Sequence, residues 1–144
     1  MQQIDFHFHV ANRSLYACRL IKKVTGMGLT VAVWSSDNFL LKKAYDDLWR
    51  FEDLTFIAHA WAGSEYETLA GVVFGENLSK LPARSVLVLL DENVPPNWQE
   101  QFSRFDRIVD IVSNDDREVA NARQRYRVYH AASVKLQAYD RSRS

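Results

Sequence analysis

The residues best suited to chemistry open the chain. His7-Phe8-His9 sets two imidazoles two positions apart. Side chains at that spacing on a strand share a face, so with Asp5 they could grip one ion, as at the start of a metal-dependent amidohydrolase. Such a centre draws further ligands from later strands of a barrel of ~250 residues. This chain has 144 residues and only His59 and His130 besides. The simpler reading is a strand with a polar, partly solvated face. A second cluster lies near the other end, in Ala122-Arg123-Gln124-Arg125-Tyr126-Arg127-Val128-Tyr129-His130. On a wheel of ~100° per residue, Ala122 and Tyr129, with Val119 nearby, centre a buried stripe. Arg123, Arg127 and His130 fall together on its flank, Tyr126 borders it, and Arg125 is expected to point away. That edge suits a ligand bearing carboxylates and an aromatic or apolar end. A solvated basic face near a helix C-terminus, favoured by the helix dipole, accounts for the same residues equally well.

Other chemistry finds no foothold. Gly26-Met27-Gly28 follows a helix and precedes a strand, the reverse of a dinucleotide-binding turn, so it reads as a helix cap and no nucleotide site or cofactor is expected. Cys18 sits beside an apolar stripe with no base near it in sequence and reads as an inert core thiol. There is no G-x-S-x-G elbow, and carboxylates gather at helix starts, where capping explains them. No acid–base pair assembles, which favours a binding module over an enzyme.

Composition narrows the class. Eighteen basic and eighteen acidic side chains cancel to a formal charge of zero. The global positive field of a nucleic-acid binder is therefore absent, and direct nucleic-acid binding through Arg123, Arg125 and Arg127 is the weaker rival. One cysteine excludes an intramolecular disulfide. No apolar run approaches the ~20 residues that span a bilayer, and the opening MQQIDFHFHV lacks a signal peptide's basic n-region and cleavage site. A cytoplasmic protein without membrane contact is expected.

The elements that would position these residues alternate. Ile4, Phe6, Phe8 and Val10 alternate with polar neighbours as a strand does. A helix capped by Asn12 or Ser14 runs to about Met27, carrying Ala17, Leu20, Ile21 and Val24 inward. Strands are expected at Leu29–Trp34, Thr55–Ala60 and Arg107–Val112, with Val72–Phe74 as a short edge strand. The apolar run Ser85–Leu90 reads as a central strand covered on both faces. Helices are expected after Asp37, around Trp98–Phe102, and from about Arg117 to Ala132. The fold class is α/β: an open, largely parallel, Rossmann-like sheet with helices on both faces. Residues 1–144 read as one domain, with a polar tail from about 136.

The R-x-R-Y-R-x-Y segment of the last helix, the helix ending Asp46-Asp47-Leu48-Trp49, the following Phe56-Ile57-Ala58-His59 and the SVLVLL strand resemble the chi subunit of bacterial DNA polymerase III. The resemblance covers essentially the whole chain. It implies a non-catalytic accessory subunit of the clamp-loader assembly, with a Rossmann-like fold and no nucleotide site. It implies two partners in DNA replication: the psi subunit, as a heterodimer, and the acidic, Phe-ended C-terminal tail of single-stranded-DNA-binding protein. The residues it assigns to the tail are Arg123, Tyr126 and Arg127, with His130 one turn further along. Phe56 falls at the family's aromatic contact with psi, close after Trp49.

Overall fold

The computed structural model describes residues 3–51 and 57–142. A seven-stranded, wholly parallel sheet organises them, in the order β3-β4-β2-β5-β6-β1-β7. The strands are β1 (Gln3–Val10), β2 (Val31–Trp34), β3 (His59–Trp61), β4 (Val72–Gly75), β5 (Val86–Leu89), β6 (Arg107–Ser113) and β7 (Lys135–Asp140). The helices are α1 (Arg13–Gly26), α2 (Asn38–Arg50), α3 (Trp98–Phe102) and α4 (Asp116–Ala131). A 3-10 turn occupies Leu78–Lys80.

Local chemistry sets the boundaries. The Asn12 side chain accepts from the Leu15 N–H to start α1, and Gly28, at φ +81°, takes the left-handed turn that follows it. Asp37 accepts from the Phe39 and Leu40 N–H groups to start α2. Along α2, Lys43 pairs with Asp47 at 3.1 Å, the expected i,i+4 contact. β5 is central and all four of its residues are buried, as a strand covered on both faces requires.

Two apolar layers sandwich the sheet. On one side α1 and α2 deliver Ala17, Ile21, Leu41, Ala44 and Leu48 onto Val33, Val88 and Ile111. On the other, Phe102 and Phe105 join α4's Ala122 and Tyr129 over Ile4, Phe6, Leu87 and Ile108.

Two expectations need correction. Val72–Phe74 is not an edge strand. β4 lies between β3 and β2 with every residue buried, and the edge is β3, which begins only at His59. Thr55 and Phe56, expected within that strand, lie outside the described residues. The polar segment expected as a tail from about 136 instead forms β7, paired with β1 from Gln3↔Lys135 to Phe8↔Asp140. A polar strand suits that place, because an edge strand leaves side chains in water.

Candidate functional site

α4 builds the site. Its N-cap, Asp115, accepts from the Glu118 N–H, and the helix lies on the sheet through Ala122 and Tyr129. Tyr126 packs its ring against Phe6, centroids 5.5 Å apart, yet keeps 42% of its surface exposed. Between α4 and the β1–β7 edge lies a cavity of about 280 Å³. Phe6, Phe8, Val112, Val119, Ala122 and Ala138 of β7 form its apolar interior, and Arg123, Tyr126 and His9 complete the lining. His130 stacks on Tyr126 at 6.0 Å and 18°. Arg127 and His130 are exposed along the same helix edge, outside the lining. Neither Arg123 nor Arg127 pairs with a carboxylate among the described residues. The site can therefore take an apolar ring into the cavity while a guanidinium at its rim meets an anion.

Arg125 does not point away. It is 4% exposed, and its Nε and Nη2 donate to the two carboxylate oxygens of Asp110 on β6, each at 2.8 Å. Nη1 donates to the Glu92 carbonyl at 2.8 Å. Burial opposes a guanidinium's charge, but the Asp110 carboxylate and its hydrogen bonds outweigh it and hold the Arg125 pKa above its ordinary value. Arg125 lies three residues after Ala122 and four before Tyr129, so it belongs to the buried stripe.

The paired imidazoles do not share a face either. His7 is buried beside α1, with Nδ1 against the Tyr16 hydroxyl. His9 has φ +62°, and the β1–β6 register slips between His7 and Val10. That bulge turns His9 to the α4 side, where its Nδ1 meets Asp140 at 3.1 Å. No group of three or more His, Cys, Asp or Glu side chains that could hold an ion occurs among the described residues. The metal-hydrolase alternative loses the shared face on which it stood. Cys18 is buried, and burial pushes its thiol up to about 12, the behaviour of an unreactive core cysteine.

Burial, then the nearby Arg141 charge, lowers the His7 pKa from 6.5 to about 4. A neutral buried histidine contributes stability above the unfolded-state value, and that stability is lost as pH falls from about 6.5 through about 4. Burial lowers the His59 pKa in the same direction. The melting temperature should therefore drop between pH 7 and pH 4. His7→Gln, which keeps a hydrogen-bond partner for Tyr16, should flatten that profile. Parallel profiles in thermal melts of the two proteins would assign the acid sensitivity to other groups.

A second surface lies at the opposite edge of the sheet. Tyr45 stacks on Trp61 at 4.4 Å and 13°, and Trp49 packs on His59 at 4.1 Å. With Tyr66 and Leu69 they line an apolar groove of about 510 Å³. Trp49 is 46% exposed and Leu69 79%. Phe56, expected here, lies outside the described residues. Tyr66 and Leu69 come from the irregular segment 63–83, whose lack of periodicity hid them.

A family model described as DNA polymerase III chi subunit, HolC, matches residues 1–137. The chain belongs to the chi subunit family of DNA polymerase III. That family is an accessory component of replication. No match was found among curated proteins. Among solved structures, the C-terminal domain of the DEAD-box protein Dbp5 superposes with a TM-score of 0.62 at 10% identity, over 97% of this chain and 90% of that one. Saccharomyces cerevisiae Dbp5 bound to Nup159, Gle1, IP6 and ADP gives 0.67 at 9% identity, over 97% of this chain and 42% of that one. At such identities the likeness concerns the fold alone.

In this chi-family sheet, α2 leaves β2 on one face and α3 leaves β5 on the other. The crevice beyond such a strand pair is where open α/β sheets bind ligands. Here Asp91 occupies it. Its carboxylate accepts from the Ser35 and Ser36 hydroxyls and the Ser36 and Asn93 N–H groups. Arg13 closes the neighbouring gap, donating to the Ile111 and Asp91 carbonyls at 2.8 and 3.2 Å. Donors that would face a phosphate are spent on a carboxylate. No helix among the described residues is long and apolar enough to cross a membrane.

Proposed function

We propose that this chain is the non-catalytic chi subunit of a bacterial clamp-loader complex, bridging the psi subunit to the acidic C-terminal tail of single-stranded-DNA-binding protein in the cytoplasm. One observation carries the reading: an apolar cavity walled by Tyr126 is rimmed by Arg123, an arginine with no carboxylate partner among the described residues. Family membership supplies the context. A tail ending in Phe would seat its ring in the cavity and its carboxylates against Arg123, with Arg127 and His130 further along the edge. A dry cavity of ~150 Å³ already accepts benzene, so about 280 Å³ accommodates a phenyl ring. A fluorescent tail peptide should bind with a micromolar dissociation constant, roughly −8 kcal/mol. Deleting its last residue should weaken binding sharply, leaving only the charge contact with Arg123. Equal binding of both peptides would reject the site.

The groove at Trp49, Tyr66 and Leu69 is the psi-facing surface in this proposal, and Phe56 is a further psi contact on the ground of the family resemblance alone. The groove's three large exposed side chains, beside the stacked Tyr45–Trp61 pair, are the mark of a docking surface. Leu69→Asp should abolish co-purification with psi while circular dichroism and melting temperature stay unchanged, because Leu69 is mostly solvated in the isolated chain. Retained co-purification would place psi elsewhere.

A further inference from the structure

The bulge in β1 puts an unexpected side chain into the cavity beside α4. Ile4 and Phe6 face the α4 layer. Asp5 and His7 line the space on the α1 side. Continued alternation would return His9 to the α1 side. Instead His9 adopts φ +62°, the register slips, and His9 joins Phe8 in lining the α4 cavity. Val10 passes to the α1–α2 core as a result. Glycine takes this left-handed conformation freely, and few other residues do. A strained conformation held by a ring-bearing side chain at a binding cavity points to a use for that ring.

The ring is also held in place. It packs edge-on against Phe8, centroids 4.7 Å apart at 64°. Its Nδ1 meets the Asp140 carboxylate at 3.1 Å. A carboxylate only accepts, so Nδ1 carries the proton and the imidazole is fixed by β7. Asp140 itself is held below its ordinary carboxylate value, first by the Ser142 N–H and then by His9. Tyr126 walls the cavity from the helix, and His9 walls it from the sheet.

We propose that His9, positioned by Asp140, is the sheet-side wall that grips the terminal aromatic ring of the docked acidic peptide and sets the preference for an aromatic last residue. The inference rests on the tail-binding reading above. His9 contributes to recognition of the ring, and Arg123 to recognition of charge.

The test titrates two fluorescent acidic peptides, one ending in Phe and one identical but ending in Ala, against wild type, His9→Gly, His9→Asn and Arg123→Glu. Glycine relaxes the left-handed backbone and asparagine tolerates it, while neither supplies a ring. Both His9 variants should melt at or above the wild-type temperature. Both should bind the Phe-ended peptide about three- to tenfold more weakly, the range expected for one lost aromatic contact, and bind the Ala-ended peptide as wild type does. Arg123→Glu should weaken both peptides. If the His9 variants keep the wild-type Phe-over-Ala ratio while Arg123→Glu loses binding, the tail site stands and the role of His9 is overturned. If wild type shows no preference for Phe and Arg123→Glu changes nothing, the tail-site reading itself fails and this inference falls with it.

Discussion

Replacing Arg125 with alanine should lower the unfolding free energy by about 3–5 kcal/mol, the usual penalty for stripping one partner from a buried ion pair. The reason is desolvation. Asp110 is fully buried in the middle of β6, and Arg125 satisfies both of its oxygens. Without the guanidinium, a carboxylate is left in an apolar layer stripped of its two hydrogen bonds, with the more distant Arg13 charge as partial compensation. The Glu92 carbonyl also loses its donor, which loosens the chain between β5 and α3. A chain of this size has a total stability of roughly 5–15 kcal/mol, so the variant should melt on the order of 10 °C lower. The double variant Arg125→Met with Asp110→Leu should recover most of the loss, since apolar groups of similar volume often replace a buried pair at little cost. Chemical denaturation of the three proteins measures this. A loss below ~1 kcal/mol for the single variant would mean that water reaches the pair and that α4 is less firmly seated than its packing indicates.

That pair also shows where sequence reasoning succeeds and where it stops. The strand–helix alternation, the central SVLVLL strand and the capped last helix are legible because periodicity and capping are local properties. Arg125 was legible in spacing, three from Ala122 and four from Tyr129, but its charge argued for solvent. The countervailing signal was Asp110, the one acidic residue amid the apolar run Ile108–Val112 of β6. Pairing it with an arginine fifteen residues away needs the tertiary fold. His9 was misplaced for a different reason: alternation assumes an unbroken strand, and nothing in His7-Phe8-His9 announces a left-handed residue. β7 was missed because an edge strand with most of its side chains in water carries no hydrophobic alternation. Tyr126 and Arg123 fell where the wheel put them, since both lie on the exposed side of the same helix. The cavity beside them needed β1 and β7 to be brought together and could not be seen from α4 alone.

Reversing Arg123 to glutamate should weaken tail-peptide binding by about 2–5 kcal/mol, as for breaking an interfacial charge pair. Arg123 lines the cavity rim, whereas Arg127, four residues on, sits one turn along the same edge. A guanidinium there can take the peptide's terminal carboxylate with charge-assisted hydrogen bonds while the ring fills the cavity below. Glutamate would set a like charge at the point where the carboxylate must sit, adding repulsion to the lost attraction. Added salt should weaken the wild-type contact moderately, because the rim is partly solvated. The appropriate control is Arg19→Glu. Arg19 is exposed on α1, across the sheet from α4, and its reversal changes net charge equally. Arg125 cannot serve, because its reversal would bury a second carboxylate against Asp110 and report unfolding. Circular dichroism and melting temperature of Arg123→Glu should match wild type, since no described residue pairs with it. Fluorescence anisotropy should then show a strong loss for Arg123→Glu and little change for Arg19→Glu. Equal losses in the two variants would mean that a diffuse basic field attracts the peptide and that the cavity beside Tyr126 does not define a site.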